Sequence, residues 1–389
     1  MTQAQTSSAP TPPTRGLEGI VAGDSSKSRV DGVNGKLFYC GYPIEPLAEQ
    51  GTFEECVYLL WNNELPTAAQ LEAFKADLLS DATVPDEIWD VLRPLAKHQT
   101  LMDLLRTGIS ALSAFDPDVA ATREASDGRG ALEQRIAMRV QARIGTIVTG
   151  AYRLKQGQEP IAPTPGQSLA SQFLTMLNGK TPSAGEERIF DAALTLHADH
   201  GFNASTFAAR VTAATEADIY AAVTSAIGTL GGRLHGGANM RVMFMLQEIG
   251  EVAKAAAHVD AILGQPKGRV MGFGHRVYKV EDPRATVLRR MAKDLTDETG
   301  HTKWFEMSRV IEDRVKETKG IFPNVDFYSA SVYGSLDLDP ELFTPIFAVS
   351  RASGWLAHVM EQHADNRLIR PRANYVGHGE RAFVGLGDR

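Results

Sequence analysis

The sequence predicts an all-α protein that carries a short β-hairpin near its N-terminus. Apolar residues recur at helical spacing in most segments after residue 46, as Leu71, Phe74 and Leu78 do at i, i+3 and i+7. Several of these segments open with residues that cap helices, Thr52 and Glu55 among them. No clear run of alternating strands follows residue 46 and no internal repeat is evident, so we expect helices packed on helices.

The N-terminal region differs from the rest of the chain. Residues 1–14 are rich in Ser, Thr, Pro and Gln, which predicts a disordered tail. Residues 16–46 contain six glycines and short apolar pieces such as residues 36–39. This pattern is typical of turns and a small hairpin.

From Thr52 onward the pattern predicts a succession of helices. Thr52 and Glu55 match a capping box, and Thr67 starts the next helix. Residues 186–200 carry apolar side chains on one face that His200 continues, so we expect this helix to run through His200 with that histidine on its buried side. Further helices are predicted over residues 100–114, 131–154, 168–177, 252–263 and 285–295.

Composition narrows the class of protein. The 389 residues allow two or three domains, and 43% hydrophobic with 22% charged residues is typical of globular proteins. A net charge of −7 argues against a general nucleic-acid surface, so an anionic substrate would need a local basic cluster. Cys40 and Cys56 form no CxxC pair. Without a signal-peptide pattern, a transit-peptide pattern or an apolar run of about 18 residues, we expect a cytoplasmic protein.

Glycines and polar residues interrupt the helical pattern in four places. Glycine permits positive φ and close approach of the backbone to a ligand, so the glycines that flank His235 would let its ring reach a substrate. The same spacing also fits a tight turn in which His235 only packs or caps. The four segments are HADHGFN (197–203), GGRLHGGAN (231–239), MGFGHRVYKVEDPR (271–284) and PNVDF (323–327).

The third segment combines glycines with basic residues. Gly272 and Gly274 partly match GxGxxG, but the third position is Val277 and no convincing strand precedes it. Its backbone with Arg276 and Lys279 could hold phosphates, although a solvated basic loop is equally consistent. Asp282 and Pro283 have the pattern of a helix start that places Arg284 in the first turn, where an anion is favoured. Residues 269–290 hold six basic side chains, which suggests an anionic ligand.

Other candidate chemistry is weakly supported. His197 and His200 form an HxxH pair, but HExxH is absent, so a hydrogen-bonded core histidine is favoured over a metal ligand. Asp326 alone could be a first-turn carboxylate favoured by the helix dipole. The sequence contains no GxSxG, which argues against a serine hydrolase.

Taken together, these segments resemble the citrate synthase family, in an order and spacing that are highly specific. The resemblance extends from Arg15 to about Val376. It is carried by RGLEG (15–19), GYPIEPLAEQGTFEE (41–55), ELPT (64–67), HADHGFNAST (197–206), LHGGAN (234–239), GFGHRVYK (272–279), DPR (282–284), PNVD (323–326) and SRASGWLAH (350–358).

The resemblance implies a mostly helical homodimer. Each subunit would have a large domain, residues 15–236 and 338–389, and a small domain, residues 237–337. The implied reaction is the condensation of acetyl-CoA with oxaloacetate and the hydrolysis of citryl-CoA, without a metal or other cofactor. The glycine-rich segment 228–237 would suit a hinge between the domains.

The resemblance also assigns site residues. The catalytic positions are His235, His275 and Asp326. Substrate contacts fall on His200, Arg284, Phe347 and Arg351, and on Arg370 reaching from the other subunit. Coenzyme A contacts fall on Arg15, Val270, Met271, Gly272, Phe273, Gly274, Lys279 and Lys319.

Some positions depart from the family pattern, and rival functions stay open. Cys40 stands where an arginine is common, Arg233 precedes Leu234 where proline is usual, and Arg241 lies where acidic residues are common. The main rival is a 2-methylcitrate synthase, which would use propionyl-CoA with the same three residues. A helical module that binds CoA without catalysis is the rival from another class, and a zinc hydrolase is a more distant one.

Overall fold

The computed structural model describes residues 15–125 and 129–389 of the 389-residue chain. Backbone contacts divide the chain into two compact units. The larger unit is Ser25–Arg367, and the smaller one joins the described part of Met1–Asp24 to Leu368–Arg389. The tail predicted for residues 1–14 lies outside the described residues.

The predicted hairpin is confirmed, with one additional short strand. Strands β1 (Ser28–Asp31), β2 (Lys36–Tyr39) and β3 (Tyr42–Pro43) form an antiparallel sheet in the order β1-β2-β3. Leu37 and Tyr39 alternate with exposed or half-buried neighbours and are fully buried. The sheet thus packs one face on the helices, as the period of two in a strand requires.

The rest of the larger unit is helical, so the all-α prediction is confirmed. The α-helices of the described residues are α1 (Ile44–Gln50), α2 (Phe53–Asn62), α3 (Ala68–Ser80), α4 (Asp86–Leu95), α5 (Leu101–Leu112), α6 (Pro117–Glu124), α7 (Arg129–Lys155), α8 (Leu169–Asn178), α9 (Ala184–His197), α10 (Ala204–Ala213), α11 (Ile219–Leu230), α12 (Ala238–Ile249), α13 (Ala255–Leu263), α14 (Pro283–Thr299), α15 (Lys303–Lys319), α16 (Val325–Ser335) and α17 (Phe343–Ala364).

Side-chain caps explain where many of these helices begin. The predicted capping box is present at α2, where Thr52 accepts from the Glu55 N–H and Glu55 accepts from the Thr52 N–H. Thr67 and Ser183 form equivalent boxes at α3 and α9. Asp282 caps α14, with Pro283 in its first turn, as predicted.

Helix α17 forms the centre of the core. It packs against α2, α7, α9, α10 and α11, and most of its side chains are buried, including Trp355. Arg351 is buried in the same helix with 2% of its surface exposed. A buried guanidinium needs partners or a function, because an unpaired internal charge is costly.

A second group of helices positions Arg284 and Asp326. Helix α16 packs against α12, α14 and α15, and α13 packs against α15. The first turns of α14 and α16 hold Arg284 and Asp326. Packing of these two helices therefore brings a cation and a carboxylate from separate segments into one region.

The smaller unit contains little regular structure. Arg15–Leu17 and Leu386–Asp388 are single turns of 3-10 helix. Tyr375, Val376 and Phe383 expose most of their side-chain surface. Among residues 15–125 and 129–389, no helix combines the length and apolar character needed to cross a membrane.

Candidate active site

The segment after α9 departs from the sequence prediction. The helix ends at His197, whereas periodicity predicted that it would continue through His200. Gly201 has a φ of 58°, and its N–H donates to Ser28 Oγ at 2.8 Å and to Asp199 Oδ2 at 3.2 Å. These contacts turn the chain, so His200 lies in a loop and is half-buried instead of continuing the buried face of the helix.

His197 is a structural histidine, as predicted for one member of the HxxH pair. Its Nδ1 lies 2.7 Å from the Ala193 carbonyl oxygen, and burial lowers its pKa to about 3. The ring is therefore neutral at physiological pH and donates from Nδ1. The His197 carbonyl oxygen accepts from Arg351 Nε at 2.7 Å, which orients that guanidinium.

His275 lies beside His200, with ring centroids 5.3 Å apart. Its Nδ1 accepts from the backbone N–H groups of Val277 at 3.0 Å and Tyr278 at 3.1 Å. Burial, assisted by the positive charge of Arg284, lowers the pKa of His275 to about 4. The ring is thus neutral near pH 7, and its one proton must lie on Nε2, which makes Nε2 a hydrogen-bond donor.

Two loops pair and bring His275 close to the helix of Asp326. The Gly274 N–H donates to the Phe322 carbonyl oxygen at 2.9 Å, and the Asn324 N–H donates to Gly272 O at 2.8 Å. Gly272 has a φ of 79°, and a Cβ added there would lie 2.8 Å from the Phe327 side chain. Only glycine fits this close approach, which gives the glycine-rich loop a structural reason.

Asp326 occupies the first turn of α16 and is half-buried. Asn324 caps this helix by accepting from the Asp326 N–H at 3.0 Å. Loss of hydration raises the pKa of the Asp326 carboxyl to about 6, although the positive charges of Arg284 and Arg351 oppose the shift. The group is ionised at pH 7 yet more basic than an ordinary aspartate.

His235 belongs to a tight loop between α11 and α12. A Cβ at Gly236 would lie 2.2 Å from the Leu230 carbonyl oxygen, so this position requires glycine. His235 Nε2 accepts from the Ser205 N–H at 3.2 Å and lies 2.8 Å from Ser205 Oγ. Because an N–H can only donate, the imidazole proton lies on Nδ1. Burial, assisted by the positive charge of Arg351, lowers the pKa of His235 to about 4.

Two buried arginines, Arg284 and Arg351, influence the pKa values of the histidines and of Asp326. Arg284 is held by both oxygens of Asp282, at 3.0 and 2.8 Å. The positive charge of Arg284 shifts the pKa values of His200, His275 and Asp326, and that of Arg351 shifts those of His200, His235 and Asp326. Because electrostatic interactions weaken with distance, these shifts indicate that His200, His235, His275 and Asp326 lie around the arginine pair.

Arg351 has the features of an anion-binding group. Its guanidinium carbon lies 4.6 Å from the centroid of the Phe347 ring. Its Nε donates to His197 O, and within the described residues its two terminal nitrogens have no hydrogen-bond partner. Burial lowers the pKa of Arg351 to about 10, so it stays positively charged at pH 7. A planar carboxylate could receive both terminal nitrogens.

The residues assigned to coenzyme A occupy several positions. Val270 and Gly272 are buried, Met271 and Phe273 are half-buried, and Gly274 is exposed. The Phe273 ring packs on Phe327 at a centroid distance of 4.6 Å. The side chains of Lys279 and Lys319 are exposed. Arg15 and Arg370 belong to the smaller unit.

The basic excess over residues 269–290 is not one anion site. Arg284 is buried, and its charge acts on His275 and Asp326. Arg289 instead pairs with Glu281 at 2.8 Å and Glu312 at 2.5 Å, and Arg290 pairs with Glu49 of α1. Arg289 and Arg290 are therefore already neutralised by carboxylates of the chain.

Sequence reasoning missed the contacts that hold the site residues in place. Ser205 contacts His235, the Tyr278 hydroxyl lies 3.2 Å from His200 Nε2, and Asp282 grips Arg284. Asp282 and Asn324 lie in the two short segments DPR and PNVD and were detectable as helix caps. Ser205 and Tyr278 lie within HADHGFNAST and GFGHRVYK, but no local pattern indicated their contacts, which span 30 and 78 residues of sequence.

Comparison with known proteins identifies the family of this chain. The family model for the citrate synthase C-terminal domain matches residues 16–372. Citrate synthase 2 of Bacillus subtilis is 50% identical over 97% of this chain and 99% of its own length. A 2-methylcitrate synthase of Mycobacterium tuberculosis is 40% identical over 95% of this chain and 92% of its own.

Solved structures give the same result. The citrate synthase of Pyrobaculum aerophilum superposes with a TM-score of 0.91 at 36% identity, with all of both chains covered. The citrate synthase of Thermoplasma acidophilum, solved as a ternary complex with carboxymethyl coenzyme A and oxaloacetate, gives a TM-score of 0.87 at 31% identity over 96% of this chain and 99% of that one. This chain therefore belongs to the citrate synthase family of transferases.

Proposed function

We propose that this chain condenses acetyl-CoA with oxaloacetate and hydrolyses the resulting citryl-CoA to citrate and CoA. The observation that carries the proposal is the protonation of three groups at pH 7, which suits each of them to one step of this reaction. Two imidazoles are neutral donors, because the pKa values of His235 and His275 are each about 4. One carboxylate, Asp326, is a strengthened base with a pKa of about 6.

The first step is proton removal from the methyl group of acetyl-CoA. Asp326 takes this proton, and the C–H electron pair forms the C=C bond of an enolate. A carboxylate is a weak base for such a carbon acid, so its reduced hydration supports the role by raising its basicity.

His235 stabilises the enolate. Its Nδ1–H, fixed by the Ser205 contacts at Nε2, donates to the thioester oxygen as negative charge develops there. One donor of this kind lowers an activation barrier by about 2.7–4 kcal/mol.

His275 acts on oxaloacetate. Its Nε2–H donates to the ketone oxygen while the enolate carbon attacks the ketone carbon and forms the new C–C bond. The proton then moves to the alkoxide oxygen, which becomes the hydroxyl group of citryl-CoA. Water subsequently attacks the thioester carbonyl and gives one proton to His275, which restores its Nε2–H. The C–S bond breaks as Asp326 returns its proton to the leaving sulfur, so that CoA leaves as a thiol. The new carboxyl group of citrate then ionises to its third carboxylate.

Oxaloacetate would be held by the arginines and His200. Arg351 offers two terminal guanidinium nitrogens, and Arg284 lies buried beside Asp282. Phe347 packs against Arg351 and would form a wall of the substrate pocket. We propose that Arg370 of the partner subunit completes the site, which makes the functional unit a homodimer.

CoA binding and closure complete the proposal. Arg15, residues 270–275, Lys279 and Lys319 would contact CoA, and the backbone amides of the glycine-rich loop suit a phosphate. Residues 237–337 would form a small domain that closes on residues 15–236 and 338–389, so that bulk water is excluded during enolate formation. The reaction is acid–base chemistry throughout and requires no metal or redox cofactor. A cytoplasmic location is proposed from the sequence.

The test is CoA release measured with a thiol reagent, with acetyl-CoA or propionyl-CoA and with or without oxaloacetate. We expect oxaloacetate-dependent release and a kcat/KM for acetyl-CoA about tenfold or more above that for propionyl-CoA, as one methylene is worth about 1–3 kcal/mol in a fitted pocket. A preference for propionyl-CoA would reassign the chain to 2-methylcitrate formation. CoA binding without release from either thioester would identify a non-catalytic module.

A further inference from the structure

Arg241, in the first turn of α12, has an unusual set of partners. Its Nε donates to Gly237 O at 3.1 Å, and one terminal nitrogen donates to Arg233 O at 2.9 Å and to Gly236 O at 3.2 Å. Among the described carboxylates, none forms an ion pair with it. One guanidinium thus binds three backbone carbonyls of the loop 231–237, and its charge is not neutralised by an acid.

Apart from the contacts between Ser205 and the His235 ring, the other hydrogen bonds of this loop join backbone groups. The Gly236 N–H donates to Leu230 O at 3.0 Å, and the His235 N–H donates to Gly232 O at 2.9 Å. Leu234 exposes 93% of its surface, and Arg233 is also exposed. The glycines contribute no side-chain packing, so the loop depends on contacts made to its backbone.

We propose that Arg241 is a positioning residue that holds the loop 231–237, and so the His235 ring, while it supplies a positive charge to the surroundings of Asp326. The proposal deepens the proposed function, on which its kinetic part rests. Ser205 fixes the ring of His235 at 2.8 Å from Nε2. Arg241 fixes the backbone carbonyl groups that precede and follow His235 in the loop. Loss of Arg241 would let the Nδ1–H move away from the thioester oxygen, and a misplacement of about 1 Å can reduce a rate about 100-fold.

Helix α12, which carries Arg241, packs against α16, which carries Asp326. The charge of Arg241 therefore acts on the catalytic carboxylate together with other groups. Its positive charge lowers the pKa of Asp326, in the same direction as two buried arginines and against burial and one acid. The titratable and charged groups that interact with Asp326 are Arg241 of α12, Asp282 and Arg284 at the start of α14, Tyr333 of α16 and Arg351 of α17. Of these, Arg241 is the cation that also contacts the His235 loop.

Three variants separate the two roles. Arg241→Gln removes the charge and most of the carbonyl contacts. Arg241→Lys keeps the charge but replaces the guanidinium fork with a single ammonium group. Lys254→Gln is the matched control, because Lys254 is an exposed cation that pairs with Glu251 just beyond α12.

The readouts are hydrogen–deuterium exchange of the peptide covering residues 231–241 and the pH profile of kcat/KM. We expect R241Q to speed exchange in the loop at least tenfold, to lower kcat about tenfold with the KM for oxaloacetate unchanged, and to move the acid limb to higher pH. We expect R241K to show faster loop exchange with an unchanged acid limb, and K254Q to match the wild type.

Hydrogen–deuterium exchange does not depend on turnover, so it tests the positioning role even in an inactive protein. A wild type that releases no CoA would instead contradict the proposed function. Wild-type exchange in both Arg241 variants would overturn the positioning role. An acid limb that stays in place in R241Q would overturn the electrostatic role. If R241Q does not fold, exchange in R241K tests the positioning role. Arg241→Met, with its stability measured in parallel, then replaces R241Q in the pH profile.

Discussion

The side-chain amide of Asn324 donates a hydrogen bond of 2.9 Å to the carbonyl oxygen of Gly274. The Oδ1 atom of the same side chain accepts from the Asp326 N–H at 3.0 Å. Asn324 therefore caps the helix that presents the carboxylate and fastens it to the loop that presents His275. The spacing between base and acid is set by this one side chain together with the two backbone bonds between the loops.

Two substitutions of Asn324 separate its helix cap at the Asp326 N–H from its side-chain hydrogen bond to Gly274 O. Asn324→Ser keeps a cap acceptor but lacks the amide donor, so we expect near-normal stability with kcat reduced about tenfold. Asn324→Ala loses both contacts and is expected to lose about 1 kcal/mol of unfolding free energy in addition. Denaturant unfolding and thiol-release kinetics measure the two effects, and equal activity of N324S and wild type would show that the amide bond is dispensable.

Ser205 is expected to tune His235 without controlling substrate binding. Ser205→Ala removes the hydroxyl that lies 2.8 Å from Nε2 but keeps the backbone N–H that donates to the same atom. A net contribution of about 1 kcal/mol for the lost hydrogen bond predicts a kcat about fivefold lower with little change in KM for oxaloacetate. Steady-state kinetics test this, with Ser110→Ala on the exposed face of α5 as a control. A rise in KM without a fall in kcat would argue against the tuning role.

The pH dependence of activity should report Asp326. Its pKa is raised to about 6, so protonation below that pH removes the base and kcat/KM should fall tenfold per pH unit. The pKa values of His235 and His275 are each about 4, so both rings remain neutral between pH 5 and 8. Their protonation therefore does not change kcat/KM in that range. Rates between pH 5 and 8 test the expectation, and a limb that begins only near pH 4 would contradict it.

The same carboxylate should reduce the stability of the folded chain. An acid whose pKa rises from 3.8 unfolded to about 6 folded destabilises the ionised protein by up to about 3 kcal/mol, and by less here because the side chain is half-buried. The penalty is fully present above pH 6 and disappears as pH falls below the unfolded value. We therefore expect Asp326→Asn to raise the Tm at pH 7.5 but not at pH 4, by calorimetry. A lower Tm at pH 7.5 would contradict the raised pKa.

Local rules predicted much of the fold. The capping pattern at Thr52 and the Asp282-Pro283 start of α14 follow from contacts within a few residues, and both are observed. The end of α9 was missed because it depends on Gly201 and on Ser28, a residue 173 positions away in the chain. Periodicity alone gives no information about such a distant contact.

The candidate site was recognised through resemblance more than through local chemistry. His235, His275 and Asp326 each had an ordinary structural explanation when taken singly. Burial lowers the pKa values of both histidines, assisted by the charge of Arg351 at His235 and of Arg284 at His275. Burial raises the pKa of Asp326 against the charges of both arginines. Those environments exist only after α14, α16 and α17 have packed, so no sequence window contains them.

Thiol release by Asp326→Asn at saturating substrate, with oxaloacetate binding measured by calorimetry, tests the assignment of the base most directly. We expect turnover to fall at least about 1000-fold while oxaloacetate affinity stays near that of wild type, because the arginines and histidines that would hold the substrate are unchanged. Near-normal turnover by the folded variant would contradict the role of Asp326 and, with it, the proposed mechanism.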